Sequence, residues 1–261
     1  MEQCSRLVLL DVDGTLVAPM GDMPAGTAEA VAALRRGGSA AVFFTGRPLS
    51  HVAPLLRRAA FDGGICVMGA FTFLHGETLC ARSPDPASAP RLAAAARERG
   101  LEAVFETAEG VRLDPAAHTP RLDGLRRAFA AKGLAVSPAE GEFSYEKLCL
   151  WGEAGALSAF ARAAEGTLAV VGRKQDMLEL AAPGASPAAA AALIMARLGV
   201  TKENTYAVGD SVNDLPVLSC AGHTAAVGNA DAALKAAADF VAPPISEGGL
   251  AAALKHFGLL E

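Results

Sequence analysis

The stretch Leu7-Val8-Leu9-Leu10-Asp11-Val12-Asp13-Gly14-Thr15-Leu16 constrains this chain more than any other. Four apolar residues run straight into two carboxylates one residue apart. The run is too short for a helix and rich in strand-tolerant side chains, which predicts a strand buried on both faces, as in a parallel sheet. Open α/β sheets hold their ligands just beyond the carboxyl ends of the strands. Asp11 and Asp13 therefore belong at a reactive edge, with Gly14 permitting a sharp turn and Thr15 adding a hydroxyl. Alternation along an extended chain aims both carboxylates to one side. Carboxylates so close repel, and one takes up a proton unless a cation lies between them. Mg²⁺, a hard ion that prefers oxygen ligands, is the simplest such cation. The plainer alternative is a strand closing in a polar turn, with Asp as a turn former.

The same punctuation recurs downstream. Residues 27–36 read as a helix that Thr27 can cap and that Gly37-Gly38 closes. Residues 40–44 are a short apolar strand that stops at Thr45-Gly46-Arg47-Pro48, and a helix follows over 48–60. Strand, helix, strand, helix in this order predicts a parallel sheet with crossovers. Thr45 then lies at a strand's carboxyl end beside a helix start, where a hydroxyl and free N–H groups make a phosphate seat. The alternative leaves Thr45 as a helix cap and Arg47 solvated. Residues 65–68 and 71–74 predict a hairpin. Ser83-Pro84-Asp85-Pro86 is linker-like. From there to about 180 come helices at 87–99, 119–132 and 153–165, with strands at 102–106, 111–113, 145–151, 167–171 and 177–180. This is enough for a separate α+β unit. Pro183-Gly184 marks the return. Helices at 186–198, 214–221, 231–238 and 247–257 then alternate with strands at 205–208 and 224–227. The first of these strands ends in Gly209-Asp210-Ser211-Val212-Asn213-Asp214, so a third strand end carries polar groups to the same sheet edge.

Composition narrows the partners. Of 261 residues, 52% are hydrophobic and 20% charged, as expected of a well-buried globule, and the formal net charge of −5 argues against a broad nucleic-acid surface. No apolar run reaches membrane-spanning length, and the first residues lack a signal-peptide pattern. The five cysteines, Cys4, Cys66, Cys80, Cys149 and Cys220, contain no C-x-x-C pair. They read as packing residues in a reducing compartment, so the expectation is a cytoplasmic protein. His75, His118 and His223 have no partner at metal-ligand spacing, and Trp151 reads as core. Arg112, Arg121, Glu146 and Lys147 read as solvated, with substrate contact as the alternative.

Taken together, Asp11-Val12-Asp13-Gly14-Thr15-Leu16, Thr45-Gly46-Arg47 and Gly209-Asp210-Ser211-Val212-Asn213-Asp214 resemble the first, second and fourth motifs of the haloacid dehalogenase superfamily, and within it the Cof-type phosphatases. Order, spacing and the large insertion match over nearly the whole chain. The resemblance implies a Rossmann-like parallel-sheet α/β core over 1–82 and 181–261, with an inserted α+β cap domain over 83–180. It also implies Asp11 as nucleophile and Asp13 as general acid/base. Thr45 and Gly46 would hold the phosphate with Arg47 and Asn213 beside them. Asp11, Asp13, Asp210 and Asp214 would surround Mg²⁺. The activity implied is hydrolysis of a small phosphate monoester, a sugar phosphate or a phosphorylated cofactor, through an aspartyl-phosphate. A phosphomutase, passing the same acyl phosphate to a second hydroxyl, is a further reading.

One departure stands out. The third motif is a lysine at the start of the helix that re-enters the core, and the matching stretch here is Gly184-Ala185-Ser186-Pro187. Proline suits the first helical position after a Ser186 cap, so the helix survives and the charge does not. At 4 Å and an effective dielectric near 20, that charge would be worth about 4 kcal/mol. Three readings stay open: substitution by another cation (Arg47, Arg173 or Lys174), slow catalysis on Mg²⁺ and the helix dipole, or a catalytically inactive phospholigand-binding, regulatory protein. Lys202 is a poor substitute because it precedes a strand, at the opposite sheet edge.

Overall fold

The computed structural model describes residues 5–18 and 21–261; Cys4 lies outside them. In chain order the strands are β1 (Arg6–Asp11), β2 (Ser39–Phe44), β3 (Gly63–Cys66), β4 (Phe71–Leu74), β5 (Glu77–Ala81), β6 (Glu102–Glu106), β7 (Gly110–Leu113), β8 (Ala135–Pro138), β9 (Lys147–Trp151), β10 (Ala169–Lys174), β11 (Met177–Ala181), β12 (Thr205–Gly209), β13 (His223–Ala226) and β14 (Phe240–Val241). The helices are α1 (Thr27–Arg36), α2 (Leu49–Leu56), α3 (Ala89–Glu98), α4 (Pro120–Ala131), α5 (Ala154–Ala163), α6 (Pro187–Leu198), α7 (Leu215–Leu218), α8 (Ala232–Ala237) and α9 (Gly249–His256). They form two compact units. One comprises the chain up to Gly46, Val52–Cys80 and Ser186–Glu261; the other comprises Arg47–His51 and Ala81–Ala185.

The first unit is built on an eight-stranded sheet of order β14-β13-β12-β1-β2-β3-β4-β5. From β14 to β3 neighbouring strands run parallel; β4 returns antiparallel to β3. β1 is buried at every position after the first, on both faces, so helices must cover both sides. α1 packs with α9, and α6 with α7. From β1 the chain moves through β2 to β3, then re-enters at β12 on β1's other side and moves outward to β13 and β14. With right-handed crossovers, that reversal puts α1 and α7 on opposite faces and leaves a crevice at the β1–β12 boundary.

The second unit is a six-stranded sheet of order β10-β11-β9-β6-β7-β8. One face packs Phe105, Leu148, Leu150, Leu178 and Leu180 against Leu92 of α3 and Phe160 of α5. The other packs Val104, Val111, Leu113 and Cys149 against Leu122 of α4, with Trp151 at its margin. Strand pairing puts Glu106 opposite Lys147, and Cys149 opposite Glu179, on this second face. The protein is thus an α/β fold with a parallel-sheet core and an α+β cap.

Several local expectations need correcting. Thr27 does not cap α1: it is the helix's first residue and is buried, and Gly26 in a left-handed conformation is the N-cap. The helix expected over 48–60 is α2 alone, with Pro54 inside it. That over 214–221 is a 3₁₀ turn, Val212–Asp214, followed by the four-residue α7. β5, β8 and β14 were not expected. They are sheet-edge strands, two to five residues long, whose exposed side chains carry no alternation to read. Lys147 is not solvated. It is 4% exposed and bonded to Glu179 Oε1 at 2.8 Å, with Glu106 Oε2 at 3.3 Å.

Candidate active site

Parallel register places Leu10 of β1 beside Val208 of β12, so Asp11 and Asp210 emerge from adjacent strands at the same sheet edge. Two glycines let the emerging loops close on each other. Gly14 has φ +88°, and a Cβ there would collide with the Asp210 carboxylate. A Cβ on Gly209 would lie 2.5 Å from Asp214 Oδ2. The Gly14 turn is held by the Val12 carbonyl, which accepts the Leu16 and Val17 amides at 3.0 and 2.9 Å. Asp214 stands at the end of the 3₁₀ turn after β12, where its Oδ2 accepts the backbone N–H groups of Asp210 and Ser211, each at 2.9 Å.

Carboxylate oxygens of Asp11, Asp210 and Asp214 all lie within 4.8 Å of one another. Asp11 is buried, and its Oδ2 has no hydrogen-bond partner. Burial first, then the charges of Asp214, Asp210 and Asp13, hold its pKa well above the usual carboxylate value. Burial also pushes Asp214 up, to about 6, against the two amides that favour its ionised form. A buried carboxylate oxygen without a donor, ringed by further acidic oxygens, is what a hard divalent cation would satisfy. The residues present therefore fit such an ion. Asp13 is outside this close group but adds its charge to the repulsion on Asp11.

Thr45 is buried at the end of β2. Its amide donates to the Ile65 carbonyl at 2.8 Å, and its carbonyl accepts from Met68 N at 3.3 Å. Val67, Met68 and Gly69 all have positive φ (52°, 54° and 90°). This turn meets the start of α6, where a Cβ on Gly69 would collide with the Ser186 carbonyl. Ser186 caps α6 by accepting Ala189 N at 3.2 Å, and Pro187 occupies the first turn. The backbone therefore links Thr45, the 67–69 turn and the proline-bearing helix start in one contact chain.

Other expected residues fall as follows. Gly46 and Arg47 are half-buried after β2, and Asn213 is exposed on the Val212–Asp214 turn. Arg173 and Lys174 are exposed on β10, an edge strand of the second sheet. Lys202 bonds the Ser219 carbonyl at 2.9 Å in the turn that precedes β12.

Sequence reasoning missed the loop after β13. Asn229 Nδ2 donates to the Gly14 carbonyl at 2.9 Å, and Asp231 Oδ2 accepts Val212 N at 3.1 Å. The available signal was position: Gly228-Asn229 follows a strand that ends at the same edge as Asp11 and Asp210.

A parallel-sheet α/β protein with three convergent acidic residues at its switch point is the class that fold and site define. Residues 8–254 match the model of the haloacid dehalogenase-like hydrolases. The chain belongs to that family, in its Cof-type branch, and is an enzyme of the phosphomonoester-hydrolase kind. It is 29% identical over 261 residues to YkrA of Bacillus subtilis, named as a candidate phosphatase, covering 98% of this chain and 99% of that one. It is 26% identical over 252 residues to the pyridoxal phosphate phosphatase YbhA of Escherichia coli, covering 91% and 93%. The solved structure of BT1666 from Bacteroides thetaiotaomicron, one of the HAD-superfamily phosphatases, is similar with TM-score 0.81 and 26% identity, covering 99% and 97%. Among the described residues no helix is long and apolar enough to cross a membrane.

Proposed function

We propose that this protein is a Mg²⁺-dependent phosphatase that hydrolyses a small phosphate monoester, a sugar phosphate or a phosphorylated cofactor, through a phosphoryl group carried on Asp11. The observation that carries the reading is the Asp11 oxygen without a donor, set among Asp210 and Asp214 at the sheet's switch point. Asp11, Asp210 and Asp214 would hold the cation, with Asp13 beside them. When bound, Mg²⁺ would lower the repulsion between carboxylate and phosphate and neutralise charge that develops on the phosphoryl oxygens.

Asp11 attacks phosphorus, and the bond from phosphorus to the ester oxygen breaks. Asp13 gives its proton to the departing oxygen. It then takes a proton from a water that attacks the phosphoryl group, the Asp11–phosphorus bond breaks, and inorganic phosphate leaves. Dividing hydrolysis this way replaces one difficult step with two easier ones. Thr45 and the Gly46 amide hold the phosphate, with Arg47 and Asn213 alongside. Pro187 itself puts no charge at the α6 end of this cradle, and loss of one comparable donor typically costs ~10²–10³ in rate.

A steady-state assay on a panel of phosphate esters tests the proposal, with magnesium present and with it chelated. Release of phosphate that needs the metal and disappears in Asp11→Asn is the expected result. A folded protein that turns over none of the panel overturns it.

A further inference from the structure

The loop after β13 makes contacts that no role assigned so far explains. Val227 N donates to the Gly209 carbonyl at 3.1 Å, and Asp231 N donates to the Asp210 carbonyl at 2.8 Å. Asp231 Oδ2 accepts Val212 N at 3.1 Å. These bonds fasten the loop to the segment that carries Asp210 and Asp214. A separate bond reaches the other acidic loop: Asn229 Nδ2 donates to the Gly14 carbonyl at 2.9 Å. The second end of the same amide accepts Ile245 N at 2.9 Å, after β14. One partner is an acceptor and the other a donor, so the network itself fixes which way the amide points.

Gly14 is also the residue where a Cβ would collide with the Asp210 carboxylate. A shift of the Gly14 peptide would therefore change the gap between Asp11 and Asp210. Packing between β1 and β12 ends with the strands at Asp11 and Gly209. Beyond that point the spacing of the two loops depends on contacts such as these.

We propose that Asn229 is a positioning residue that locks the nucleophile loop against the Asp210–Asp214 loop and thereby sets the spacing of the metal-holding carboxylates. Its amide bonds the Gly14 carbonyl and the Ile245 N–H, so it acts through Gly14. Outer groups that orient metal ligands typically contribute ~10–100-fold in metal affinity or activity. This inference rests on the phosphatase reading for its kinetic consequence but not for its metal consequence, and the test separates the two.

Asn229→Ala loses both bonds. Asn229→Asp keeps the shape and the acceptor for Ile245 N and loses only the donor to Gly14. Asn229 is solvent-exposed apart from these bonds, so both variants should fold. Three readouts are compared with the wild type: Mg²⁺ affinity by titration calorimetry, melting temperature without metal, and kcat and KM at saturating Mg²⁺. The expected result is ~10-fold weaker Mg²⁺ binding in both variants, with kcat lowered ~10–100-fold and KM changed less than threefold. The Asp variant should fail like the Ala variant although it adds negative charge, which by itself would strengthen cation binding. Wild-type Mg²⁺ affinity in Asn229→Asp overturns the proposal, because the amide would then be only a tether to the 245 turn. A lower melting temperature with unchanged affinity and kcat in both variants overturns it as well. If the wild-type protein binds Mg²⁺ but releases no phosphate, the phosphatase reading fails while the calorimetry still decides the role of Asn229.

Discussion

The proposed attack on phosphorus needs Asp11 as an anion, yet its surroundings favour the neutral acid. A carboxylate whose folded pKa is raised binds its proton more tightly in the native state than when unfolded. Its stabilising effect is full below the unfolded pKa, near 3.8, and is lost as pH rises through the folded pKa. For Asp214 that window runs from 3.8 to about 6, and the raised Asp11 carboxyl acts in the same direction. Across its window Asp214 alone is worth on the order of 3 kcal/mol. Metal-free protein should therefore melt at a higher temperature at pH 5 than at pH 7.5. Added Mg²⁺ should raise the melting temperature more at pH 7.5, where it competes with fewer protons. Asp11→Asn removes one of the mutually repelling carboxylates, so in the metal-free state at pH 7.5 it should melt above the wild type. The same variant should lose turnover and most of the Mg²⁺-induced shift. Thermal denaturation over a pH series with and without chelator checks all of these, and a melting temperature of metal-free wild type that rises from pH 5 to 7.5 would contradict the account of both carboxylates.

Elements deliver these residues with unequal legibility. Asp11, Thr45 and Asp210 could be read from sequence because each closes a short apolar strand, and open α/β sheets gather such ends at one edge. Asn229 also follows a strand of that edge, but Gly-Asn is so ordinary a turn pair that nothing in it points to Gly14, 215 positions away. The 67–69 turn was half legible. Its hairpin was expected from sequence, but its left-handed backbone at Val67 and Met68 was not, since β-branched and bulky residues rarely adopt it. Left-handed conformation costs roughly 1–2 kcal/mol at an ordinary residue and less at Asn. Met68→Asn should accordingly raise the melting temperature. A lower one would mean that the half-buried Met68 side chain contributes more by packing than its backbone loses. At the far side of this turn, α6 retains everything its N-terminus needs except charge, because Ser186 caps it and proline is tolerated in the first turn. Pro187→Lys should leave the helix intact and raise kcat at least tenfold, toward the ~10²–10³ that one preorganised donor supplies. Unchanged kcat in a folded Pro187→Lys protein would show that charge at this position does not limit the rate.

Over the whole molecule, the two units are stabilised by different chemistry, and sequence reading served one better than the other. The first unit's centre is aliphatic, with Leu7 to Leu10 fully buried, and its strands announce themselves as apolar runs. In the second unit β9 reads Lys-Leu-Cys-Leu-Trp, an alternation that makes Lys147 look like the solvent side of a half-buried strand. Only pairing with β6 and β11, from distant parts of the chain, puts Glu106 and Glu179 against it. Burial opposes the charge on Lys147, yet Cys149 and the two glutamates hold its pKa well above the ordinary lysine value. Glu179 leans over Gly172, where a Cβ would lie 2.5 Å from its Oε2, so bulk at that position would also disturb the cluster. Removing one partner of a buried ionic group leaves the others uncompensated and typically costs ~3–5 kcal/mol, whereas replacing the whole set by neutral groups can be nearly free. Lys147→Met should therefore destabilise the second unit by about that amount, and adding Glu106→Gln and Glu179→Gln should recover most of it. Hydrogen exchange followed strand by strand reads the effect: faster exchange in β6, β9 and β11, with β1 and β12 protected as before and Mg²⁺ affinity unchanged. Equal loss of protection in β1 and β12 would mean that the units unfold as one cooperative body, and that the ionic cluster stabilises the acidic site as well as its own sheet.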